Sequence, residues 1–166
     1  MDIQVLGSAG ACASLRRANR ALSHLYDLVL APTRLRATQY IILHTIAQAG
    51  EIAHCDLARH FAASEENLSR RLASARASGW VRMNIASRGR RIYSLTAEGH
   101  SVLSQATPYW ERAQDRMRRE LGDLQWAMLG DFAERITQCA LRAERAPARN
   151  GRPLAVPLNG DRNAVS

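Results

Sequence analysis

The chain has 166 residues, 46% of them hydrophobic and 23% charged, which suits one globular domain with a real core and some surplus chain. Its formal net charge is +8, all 23 basic residues are arginine, and no apolar run approaches the roughly 20 residues that cross a bilayer. No membrane-spanning helix is therefore expected, and the positive excess favours an anionic partner such as nucleic acid or an acidic membrane surface. Codon usage in a GC-rich genome accounts for arginine in place of lysine, but not for that excess. Cys12, Cys55 and Cys139 are far apart and lack CxxC spacing, which argues against a disulfide framework or a zinc site. With no signal-peptide pattern in Met1 to Gly10, a cytoplasmic location with reduced thiols is expected.

Residues 1–10 are small and weakly patterned, an expected flexible N-terminus. From Ala11 to Leu30 the apolar residues Leu15, Ala18, Leu22, Leu25 and Val29 recur at helical spacing, and Pro32 ends the element. A second helix is predicted from Ala37 to Ala49, with Gly50 as its stop, and a short one near His54 to Phe61. Ser64 can cap the next helix, which carries Leu68, Leu72 and Ala75 on its apolar face and stops at Gly79. Glu65 and Glu66 suit the positive end of that helix dipole. Two short alternating runs, Trp80 to Ile85 and Arg91 to Leu95, flank a glycine-containing tip and read as a β-hairpin. A long helix is predicted from Thr96 to about Glu120, bending near Pro108. After Gly122 a last helix, Asp123 to Ala143, aligns Leu124, Met128, Leu129, Phe132, Ile136 and Cys139 on one face. Residues 144–166 shift to Arg, Pro, Gly and Asn and read as a disordered basic tail.

Short helix, turn, helix and hairpin, in that order, make a winged helix-turn-helix, whose second helix fits the major groove of duplex DNA. The expected fold is mainly α with a small β-hairpin wing. A DNA-binding lobe would span 37–97, and a helical dimerisation region 11–36 and 98–143. The apolar faces of the outer helices exceed what so small a lobe can cover, so a homodimer is expected, and with it a pseudo-palindromic operator. Between Ser64 and Arg91 seven arginines (Arg70, Arg71, Arg76, Arg82, Arg88, Arg90, Arg91) stand against two glutamates. The candidate DNA contacts are Ser64, Glu66, Asn67, Ser69, Arg70, Arg71 and Ser74 on the helix, with Arg88, Arg90 and Arg91 on the wing, where arginine can enter a narrow minor groove.

The segments Leu35-Arg-Ala-Thr-Gln-Tyr-Ile-Ile-Leu43, Asp56-Leu-Ala58, Asn67-Leu-Ser-Arg70, Gly79-Trp-Val81 and Leu95-Thr-Ala-Glu-Gly99 resemble the MarR family of regulators in order and spacing, over about residues 11–140. That resemblance implies a helical homodimer with interlocked first and last helices. It also implies a recognition helix in each of two successive major grooves, and repression relieved by a small ligand, often an aromatic or phenolic acid. The chain departs from the family where an Asp-x-Arg wing is usual and Ser87-Arg88-Gly89 stands instead. Arg34 and Arg36 replace a common glycine and threonine, and Arg76 replaces a common acidic residue.

Candidate effector residues are Cys12, Arg16, Asn19, Ser23 and Tyr26 on the first helix, with Tyr40 and His44 on the second; an arginine beside an aromatic slot suits a small aromatic anion. In the peroxide-sensing branch of the family a cysteine at the place of Cys12 is oxidised with the help of tyrosines, and Tyr26 aligns with one of these. Arg16 and Ala37 stand where the other aromatic partners belong. A redox-sensing repressor using Cys12 is thus one alternative, and a winged-helix protein-interaction adaptor is another. No catalytic triad, phosphate loop or metal-ligand spacing is present, so neither an enzyme nor any metal or cofactor is expected.

Overall fold

The computed structural model describes residues 6–145, with side chains over 10–144. In chain order it comprises α1 (Leu6–Leu30), α2 (Ala37–Ala49), β1 (Glu51–Ala53), α3 (His54–His60), α4 (Glu65–Ala77), β2 (Val81–Ile85), β3 (Arg91–Leu95), α5 (Ala97–Leu121) and α6 (Asp123–Arg145). Helix α1 begins earlier than its periodicity suggests. Its backbone leaves helical geometry at Gly10 (φ 64°, ψ 170°), the point from which the apolar repeat starts. The proposed basic tail lies outside the described residues, save its first two positions, as do residues 1–5 of the N-terminal segment.

Strand β1 is absent from the sequence reading. Three residues are too few to show alternation, and Glu51-Ile52-Ala53 forms a strand only because β3 offers an unpaired edge. Glu51 pairs with Ser94 and Ala53 with Ile92, while β2 pairs with the other edge of β3, Val81 opposite Leu95 and Ile85 opposite Arg91. The sheet is antiparallel, ordered β1-β3-β2. The central strand is consequently the buried one, with Tyr93, Ser94 and Leu95 all inside. Helix α5 runs through Pro108 as one element.

Among the described residues, those up to 127 form one compact unit and those from 128 a second. In the first, Leu30, Leu43, Ile46, Leu57 and Leu68 are completely buried and pack with Leu35, Leu72, Tyr93 and Leu103. The hairpin is locked to α5 by Thr96, whose Oγ1 donates to the Gly79 and Trp80 carbonyls (2.6 and 3.2 Å) and accepts from Gly99 N–H (3.0 Å). Gly99 must be glycine, since a β-carbon there would lie 2.0 Å from the Trp80 carbonyl oxygen. In the second unit the helix carries exposed Met128, Leu129 and Phe132. No described helix is long and apolar enough to cross a membrane.

Candidate nucleic-acid interface

Helix α4 is held by its apolar side and offers its polar side. Leu68, Leu72 and Ala75 are buried, which at 100° per residue turns Asn67, Arg70, Arg71 and Ser74 outward. The start is fixed by Ser64, whose hydroxyl accepts from Asn67 N–H (3.3 Å). The outward face is partly ordered by itself. Arg70 donates to Asn67 Oδ1 and lies 4.0 Å from Glu66 Oε1. Arg71 is exposed and makes no ion pair among the described residues.

Two of the expected contacts also bond to neighbouring helices. Ser69 is half-buried, with its Oγ 3.4 Å from Nε2 of buried His54 on α3. Ser74 is exposed, but its Oγ accepts from Gln39 Nε2 on α2 (3.1 Å). Both tie α4 to a neighbouring helix, a role that requires tertiary contacts to recognise. The imidazole of His54 also has its Nε2 3.1 Å from the Glu65 carbonyl oxygen, while its Nδ1 is buried without a partner among the described residues.

The wing has Ser87 where the resemblance leads one to expect an acidic residue, and it is closed by backbone. Ala86 N–H donates to the Arg90 carbonyl (2.8 Å) and Gly89 N–H to the Ala86 carbonyl (3.2 Å), making a tight turn over Ser87–Gly89. Arg88 and Gly89 both take left-handed backbone angles (φ 62° and 73°), uncommon for a residue with a β-carbon. Arg91 donates to Glu65 Oε2 (3.3 Å), so the base of the wing is fastened to the first turn of α4. A cleft of about 200 Å³ between them is lined by His54, Cys55, Glu65, Gly89, Arg90 and Arg91. Arg88 and Arg90 are exposed, and neither makes an ion pair among the described residues. Helix α4 and wing arginines are thus brought together, with cationic groups that suit a polyanion.

The effector candidates separate into two groups. Tyr26 and Tyr40 are buried and both stack on Trp110 from α5 (ring centroids 4.2 and 4.4 Å), and His44 stacks on Tyr40 at 5.9 Å. Tyr40 Oη donates to Thr107 Oγ1 (3.3 Å). Burial raises the pKa of the Tyr26 hydroxyl above its ordinary value. A cavity of about 300 Å³ adjoins the stack, lined by Tyr40, Ile41, His44, Thr45, Thr107, Trp110 and Glu111. Cys12, Arg16 and Asn19 are exposed on α1 and Ser23 is half-buried there; none of the four lines that cavity. The sequence reading missed Trp110. The pair Tyr109-Trp110 on an amphipathic helix was its only local signal.

No protein-family model and no curated protein matches the chain. Solved structures do. The M. tuberculosis transcriptional regulator MosR in complex with DNA is 30% identical, with 81% of this chain and 98% of that chain covered and a TM-score of 0.74. A mutant of MarR from E. coli complexed with operator DNA is 18% identical (82% and 99% covered, TM-score 0.70). NadR in complex with 4-hydroxyphenylacetate is 22% identical (79% and 94% covered, TM-score 0.65).

Proposed function

The chain belongs to the MarR family of winged helix-turn-helix regulators, and on that premise we propose that it is a homodimeric, sequence-specific repressor of transcription. Each protomer places α4 in a major groove and its wing against the adjacent backbone or minor groove of a pseudo-palindromic operator. The reading is carried by one observation. The outward face of α4 presents Asn67, Arg70 and Arg71 beside wing arginines that Arg91–Glu65 fastens to the same helix. A gel-shift titration with the duplex upstream of the gene tests it. Binding should weaken steeply with salt as phosphate contacts release counterions. Arg70→Ala with Arg71→Ala should cost at least about tenfold. Affinity indifferent to both would point to a protein-interaction adaptor.

Release of DNA by a small aromatic ligand is supported by the cavity beside Trp110, and an aromatic acid is the class the family resemblance implies. Trp110 fluorescence should change with a binding acid, and the same acid should dissociate the operator. The exposure of Cys12, one turn from Arg16, favours a second reading in which peroxide oxidises that thiol. Cys12→Ser protein that still releases DNA with peroxide overturns it.

A further inference from the structure

The two arginines that replace the family's glycine and threonine lie at the α1–α2 corner, away from α4 in sequence. Arg34 is exposed and holds a left-handed backbone (φ 61°), a conformation that a side chain makes costly and glycine would make free. Arg36, just before α2, has a side chain 76% exposed, held by Asp27 at 3.2 Å on one side of its guanidinium. A planar guanidinium has five N–H donors, so this pair leaves donors for another anion. Asp27 also accepts from Ala37 N–H (2.7 Å). That end of α2 is already capped, and anion capture there falls to the side chains. Together with His24, Asp27 and Leu28, Arg34 and Arg36 line an open cavity of about 400 Å³.

One side chain connects this corner to the DNA-facing helix. Gln39 accepts from the Arg36 backbone N–H through Oε1 (2.9 Å) and donates from Nε2 to Ser74 Oγ (3.1 Å). Ser74 lies one turn beyond Arg70 and Arg71 on the outward side of α4. A single amide therefore spans the distance from the Arg36 backbone to the face that the proposed function puts in the groove. The long stem of arginine extends the reach further.

We propose that Arg34 and Arg36 form a second phosphate clamp, gripping the DNA backbone that flanks the groove occupied by α4, with Gln39 as the residue that sets the spacing between clamp and α4. The inference rests on the reading of the chain as a duplex-DNA binder. Phosphate is the ligand chemistry, and it carries no base information, so the clamp adds affinity without sequence preference.

The test compares wild type, Arg34→Ala with Arg36→Ala, and Arg70→Ala with Arg71→Ala by fluorescence anisotropy. Each is titrated with the upstream duplex and an unrelated duplex between 50 and 200 mM salt, roughly the range where counterion release is most visible. The corner variant should lose about 3- to 10-fold on both duplexes alike, with a plot of log affinity against log salt shallower by at least about 1. Unchanged melting temperature shows that the fold is kept, and Arg36→Lys with Arg34→Lys should restore most of the binding. If wild type binds the upstream duplex, the α4 variant loses it, and the corner variant keeps both affinity and slope, the clamp is overturned while the proposed function stands. If wild type binds no duplex, that function falls first. Inorganic phosphate is the remaining arm. Should it raise the melting temperature of wild type but not of the corner variant, with the DNA slope unchanged, the corner takes a free anion and the DNA clamp is wrong.

Discussion

Helices α4 and α6 are both amphipathic, yet their apolar residues meet opposite fates. On α4, Leu68, Leu72 and Ala75 are buried in the core shared with α2, α3 and the sheet, and arginines are what remains outside. On α6, Leu124, Met128 and Phe132 stay 69, 59 and 62% exposed, an apolar face that water would not tolerate on a free monomer at little cost. The lobe around α4 closes its own core; the described α6 does not. The difference teaches that one helix keeps a polar, arginine-bearing face outside, which the proposed function assigns to DNA. The other is shaped to find apolar cover, which the proposed function assigns to a second copy of the chain.

The sharpest way to break this contrast is inside the closed lobe. Gly99→Ala forces a β-carbon to within 2.0 Å of the Trp80 carbonyl oxygen, a backbone atom that cannot swing aside. It should destabilise the protein by more than about 3 kcal/mol, read as a large fall in denaturation midpoint, because neither the hairpin nor α5 can yield cheaply. A near-normal midpoint would mean that the hairpin–α5 junction is not rigid.

Next in size is the open face. Phe132→Asp should weaken self-association about 30-fold or more, measured by sedimentation over a concentration series, with helix content unchanged. An unaltered monomer–dimer balance would show that this face is covered in another way. Smaller again is the cap of α4: Ser64→Ala removes the acceptor for Asn67 N–H and should cost about 1 kcal/mol, a shift of a few degrees in melting temperature.

The smallest effect concerns pH. Burial raises the Tyr26 hydroxyl pKa above its unfolded value, so the neutral phenol stabilises the fold fully below about pH 10. That contribution is lost as pH rises through the higher folded value. Tyr26→Phe should therefore flatten the alkaline limb of the stability profile and leave the neutral region nearly unchanged. An identical alkaline limb in the variant would place the titration elsewhere.

Much of the fold was legible because it is local. Apolar spacing, the caps at Ser64 and Thr96 and the stop at Gly50 need only neighbours three or four residues away, and the observed elements follow them within a few positions. The candidate DNA face was half legible. Alternation of buried and exposed residues along α4 located Arg70 and Arg71, but Ser69 and Ser74 look equally available in sequence. Only the fold shows that each also ties α4 to a neighbouring helix, through His54 and Gln39. Trp110 was missed because an aromatic residue on an amphipathic helix reads as core, and its partners Tyr26 and Tyr40 lie more than 60 residues away.

By itself the sequence determined the helices, the hairpin and the arginine surplus around α4, since each depends on periodicity or on charge counted along the chain. The tertiary structure alone decided the third strand, the Tyr26–Trp110–Tyr40 stack and the Gln39 link between α2 and α4. These are pairings between residues distant in sequence, and their energy exists only once folding has already brought the partners within hydrogen-bond or van der Waals reach.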